Sequence, residues 1–130
     1  MRRLAAFFVA FALAFAVAAA DNLAPQTSSQ AGVTVKVTPL TLDGPAWAFS
    51  VAFDTHSQAL QDDLLKSAVL IPIGSAPLAP LAWEADPAGG HHRKGVLRFK
   101  APSALPVSIE LRITRPGESA PRRFAWDLRR

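Results

Sequence analysis

The chain has no cysteine, no tyrosine and a single methionine, Met1. Without cysteine there is no disulfide framework, no thiolate for a soft metal and no sulfur for lipid attachment, so packing must hold the folded state. Helical periodicity is scarce. The one stretch with helical character, Gln58 to Lys66, is too short and too weakly patterned for more than a turn or two. Catalytic signatures are missing too: there is no glycine-rich phosphate loop, no cofactor fingerprint and no nucleophile elbow. The only adjacent carboxylates, Asp62 and Asp63, read as solvated. Asp54, His56 and Ser57 stand too close in one extended segment to form the relay of a hydrolytic triad. The sequence therefore reads as non-enzymatic.

What is present begins with Met1-Arg2-Arg3, an apolar run from Leu4 to Val17, and Ala18-Ala19-Ala20 before Asp21. A basic start, an apolar middle and small residues at the end are the parts of a signal peptide, here residues 1–20, and place the protein in the periplasm or outside the cell. If the segment were kept instead, it would be at the short end of what spans a bilayer, and membrane contact would run through it alone. Setting Arg2 and Arg3 aside lowers Lys+Arg from 14 to 12 against 10 Asp+Glu. The basic excess lies in Arg112, Arg115, Arg122, Arg123, Arg129 and Arg130, with no regular interleaving of aromatics, and reads as a solvated face rather than a nucleic-acid surface.

The 130 residues hold one domain. Residues 21–32 are small and polar without periodicity and read as a flexible lead; residues 33–130 read as a single β-domain. Val33, Val35 and Val37 alternate with polar residues, as do Trp47, Phe49, Val51 and Phe53 with smaller ones. Further strands are expected over Ser67–Ile73, Leu81–Glu84, Gly95–Phe99, Val107–Ile113 and Arg123–Leu128, with Gly and Pro between them. About seven short strands with turn signals at regular spacing, and no convincing helix, predict an all-β, immunoglobulin-like antiparallel β-sandwich.

All 3 histidines fall in two segments, Asp54-Thr55-His56-Ser57 and Gly89-Gly90-His91-His92. In a chain without thiols, Asp54, His56, His91 and His92 are the candidates for a nitrogen and oxygen metal site, with Glu84 or Asp86 as a further oxygen, and zinc or copper(II) as the fitting ion. The competing reading is a structural clamp in which the imidazoles hydrogen-bond the backbone. Trp83, with Glu84 and Arg93 near it, is the candidate for contact with a partner: an envelope protein or a small ligand. Three functions follow from these residues. The first is a small exported binding module with a His/Asp loop-end site, the second a zinc- or copper(II)-binding periplasmic protein, and the third a purely structural subunit of an envelope complex.

The segments Asp54-Thr55-His56-Ser57, Gly89-Gly90-His91-His92-Arg93-Lys94-Gly95-Val96-Leu97-Arg98-Phe99 and Arg123-Phe124-Ala125-Trp126 resemble, in this order, those of a group of small exported bacterial proteins. The resemblance implies a compact β-domain that keeps the histidines together. It carries no activity with it.

Overall fold

A computed structural model describes residues 23–129, so the expected signal peptide lies outside the described residues. Two antiparallel sheets share one core. The five-stranded sheet is ordered β1-β2-β3-β6-β5, with β1 at Gln26–Gln30, β2 at Val33–Thr41, β3 at Ala46–Thr55, β5 at Ala82–Ala85 and β6 at His92–Lys100. The three-stranded sheet is ordered β4-β7-β8, with β4 at Ala68–Pro72, β7 at Ser108–Ile113 and β8 at Arg122–Asp127. One four-residue helix, α1 at Leu64–Ser67, precedes β4, and the Asp63 side chain caps it by accepting from the Leu65 amide at 3.1 Å.

The period-two pattern explains the packing. Val33, Val35 and Val37 on β2, Phe49, Val51 and Phe53 on β3, and Leu97 and Phe99 on β6 are buried on one sheet. Leu70, Ile109, Leu111, Ile113, Phe124 and Trp126 face them from the other. Phe49 joins the layers, edge-on to Phe99 with ring centroids 5.9 Å apart and 5.7 Å from Trp126. Each such fully buried side chain contributes about 2 kcal/mol.

The sequence reading missed strand β1. Gln26–Gln30, expected within a flexible lead, pairs with β2 from Gln26↔Val37 to Gln30↔Val33. It carries no apolar stripe because its inner contacts are hydrogen bonds. Arg122 donates to the Ser28 and Gln30 carbonyls, each at 2.9 Å, and Gln26 bonds the backbone of Ala125 through both ends of its amide. Ala31 and Gly32 make the β1–β2 turn with φ of 50° and 74°, the paired positive angles of a two-residue hairpin turn.

Direction of travel sorts the connections into two ends. The β1–β2 turn, the β3–β4 connection, the β5–β6 loop and the β7–β8 loop meet at one end, where Thr55 donates to the His91 carbonyl at 2.9 Å and Leu60 to the Gly90 carbonyl at 3.2 Å. The β2–β3, β4–β5 and β6–β7 connections meet at the other.

Candidate functional site

The end carrying the histidines is built on charge. Arg115 opens the β7–β8 loop and donates to both carboxylate oxygens of Asp62, from Nε and Nη2, at 2.9 Å each. Its third nitrogen reaches Glu118 at 3.3 Å. Glu118 in turn accepts from Nε and Nη2 of Arg122, both at 2.9 Å, and from Gln30 at 2.8 Å. Arg122 also donates to the Val33 carbonyl at 2.9 Å. Two arginines and two carboxylates thus form a charge-balanced chain tying β1, β2, β8 and two loops. The expectation of a solvated basic face is corrected at Arg115 and Arg122, and that of solvated carboxylates at Asp62, since all three are buried. Bidentate geometry and complete pairing make this burial tolerable.

Glu118 reports the strength of that pairing. Hydrogen bonding from Arg122, followed by that from Gln30 and the charges of both arginines, outweighs desolvation and holds its carboxyl at about 2 instead of 4.5. A carboxyl lowered in the folded state stabilises the fold above its unfolded value and loses that contribution as pH falls through its folded one. The melting temperature should therefore be steady above pH about 5 and decline as pH falls through 4.5 toward 2, with a loss of roughly 3 kcal/mol from this group. Thermal melts across that range check it, because Glu118→Gln should flatten the decline.

On this base sit the predicted site residues. Asp54 and His92 are register partners on β3 and β6, and the exposed Asp54 carboxylate meets His92 Nδ1 in a hydrogen bond. His92 therefore belongs to the strand, whereas a loop was expected for the histidine pair. His56 and His91 are exposed, and among the described residues their rings make no hydrogen bond or ion pair. The His56 and His91 rings do not make the clamp expected of the imidazoles; Thr55 and the His91 backbone tie the segments together there instead. Thr55 is buried; its hydroxyl donates to the Gly32 carbonyl at 2.8 Å and accepts from the Ser57 amide at 3.3 Å. No group of three or more His, Asp or Glu residues among the described residues converges as a metal site would.

Arg93, expected to face a partner, is buried instead. It donates to the carbonyls of Asp86, at 2.9 Å, and Asp62, and its guanidinium lies 5.9 Å from the Trp83 ring centroid. Trp83 is half-buried, edge-on to Phe53 at 6.4 Å, and its indole N–H is buried without an acceptor among the described residues. Glu84 is exposed on β5 beside Arg98, 3.5 Å away. The structure thus joins Asp54 to His92 and Trp83 to Arg93, leaves His56 and His91 outside both pairs, and adds Asp62, Arg115, Glu118 and Arg122 beneath them.

No family model, curated protein or solved structure matches the chain. The segments that carry the resemblance lie at the end of β3, along the β5–β6 loop and β6, and on β8. Two of the three meet at the histidine end, where Asp54 pairs with His92.

Proposed function

We propose that the protein is an exported, non-enzymatic binding module with an immunoglobulin-like fold, whose site is the loop end bearing Asp54, His56, His91 and His92. The strand order supports the fold: β2-β3-β6-β5 against β4-β7-β8 follows the A-B-E-D and C-F-G sheets of immunoglobulin domains, with β1 added outside the first strand. By that analogy the β3–β4 and β7–β8 connections correspond to loops that bind ligands in variable domains. The observation that carries the reading is the contrast, at one end of the domain, between a buried ionic chain and exposed imidazoles. Rigid support under accessible polar groups is the arrangement recognition requires.

A second reading draws on the Asp54–His92 pair. A carboxylate on Nδ1 fixes the tautomer and leaves Nε2 as a lone-pair donor, the usual preparation of a histidine for zinc or copper(II). A rotated side chain of His56 or His91, both exposed, would then complete the set.

Calorimetric titration with zinc and copper(II), beside a His56→Ala/His91→Ala variant, separates the readings. The two exposed rings make no bonds, so the variant should melt within about 0.5 kcal/mol of the parent. Stoichiometric metal uptake lost in the variant selects the metal reading. Without metal uptake, the binding reading requires a photo-crosslinker at His91 to join a defined partner that His56→Ala and Asp54→Ala weaken. A variant that melts far lower makes the histidines structural and refutes both.

A further inference from the structure

The opposite end of the domain is nearly uncharged and carries exposed apolar side chains. Leu40, Ile73, Leu81, Leu105 and Val107 are all exposed there, Leu105 by 68% and Leu81 by 60%. Of the large apolar residues exposed among the described residues, only Leu65 belongs to the histidine end. The β4–β5 and β6–β7 connections contain no charged residue, and the β2–β3 turn contains only Asp43. Asp127 is paired with Arg129 at 2.7 Å, and among the described residues Lys100 is an exposed cation at the rim. Every proline except Pro87, Pro116 and Pro121 stands at this end or on the segment leading into it, so its loops are stiff. Water faces a concentrated apolar surface here, and scattered leucines would not cluster in this way.

The path of the chain indicates what covers it. The Trp126 indole N–H donates to the Ala24 carbonyl at 2.9 Å, and β1 starts at Gln26 opposite Val37, so the chain enters the domain at this same end. Only Asp21 and Asn22 separate Leu23 from Ala20 and the apolar run Leu4 to Val17. Fully extended, that link reaches at most about 11 Å. A domain joined so closely to such a run, were the run kept in a membrane, would present its entry end to the lipid. That end is the one with the leucines and with few charges.

We propose that the N-terminal apolar run, read from the sequence as a signal peptide, is instead kept as an anchor, and that this sparsely charged end is a membrane-docking surface seated on the same bilayer, with Leu81, Leu105 and Val107 entering the interfacial layer. The histidine end then faces away from the membrane. Shallow burial of several apolar side chains at a bilayer surface, added to one inserted anchor, is the two-signal arrangement that gives stable attachment.

The absence of cysteine from the chain makes the test clean, since an introduced thiol is unique. The full chain is reconstituted in phosphatidylcholine–phosphatidylglycerol vesicles with an environment-sensitive fluorophore on Leu105→Cys, Leu81→Cys or, at the other end, Ser119→Cys. The labels at 105 and 81 should shift to the blue and lose most of their emission when the acyl chains are brominated, while the label at 119 keeps its emission. A Leu81→Asp/Val107→Asp variant labelled at Leu105→Cys, shown to be folded by circular dichroism, should lose the shift. Equal quenching at both ends, none at 105 and 81, or an exported protein whose N-terminal sequence starts at Asp21 overturns the proposal. So does a blue shift that grows with protein concentration without vesicles, which would assign the surface to a second copy of the chain.

Discussion

Replacing Arg115 with Met should destabilise the domain by about 3–5 kcal/mol, because the buried Asp62 carboxyl would be left without its partner. The Asp62 side chain is 1% exposed, and both of its oxygens receive their hydrogen bonds from this one guanidinium. A domain of this size has a total stability of about 5–15 kcal/mol, so the loss is a large fraction of it. The melting temperature should drop by about 15–30 °C in calorimetry. Removing both charges, as Asp62→Leu/Arg115→Met, should restore most of that loss, since it is the unpaired buried carboxyl that is costly. A single variant that melts like the parent would mean that Asp62 reaches water.

Gly95→Ala should be the most damaging loss of a glycine. A Cβ built on Gly95 lies 2.7 Å from Cα and Cβ of Ala85 and from the Glu84 carbonyl oxygen, all belonging to edge strand β5. Backbone cannot swing aside as a side chain does, so β5 must move off β6, at a cost of about 2 kcal/mol or more. Gly90 is a useful contrast. There a Cβ meets nothing within 4 Å, and the cost comes only from a φ of 73°, about 1 kcal/mol. Melting curves should rank the variants in that order, and amide exchange of Ala82–Ala85 should accelerate only in Gly95→Ala.

The seven strands with an apolar stripe were legible because alternation marks one dry face, and Trp47, Phe49, Phe53, Phe124 and Trp126 are buried as that pattern requires. Strand β1 was not, since glutamine, serine and threonine on an edge strand look like a linker until Arg122 is seen to collect their carbonyls. The buried charges were illegible for a related reason. Asp62 and Arg115 are 53 positions apart, and nothing local to either shows that it has a partner. At the candidate site, alternation along β3 correctly turned Asp54 outward, opposite Phe53. That His92, and neither His91 nor His56, would meet it depended on the β3–β6 register, which only the pairing of whole strands fixes.

The amide of Gln26 has a consequence for how copies of the chain meet one another. Strand β8 borders its sheet, and a bordering strand offers unpaired N–H and C=O groups to any passing strand. Gln26 occupies both groups of Ala125, accepting from its N–H at 2.9 Å and donating to its carbonyl, so a side chain stands where a neighbour's backbone would dock. Trimming the chain past this residue would unlatch that seam and invite strand exchange between molecules. The Gln26 side chain thus keeps the backbone groups of Ala125 from a neighbouring strand.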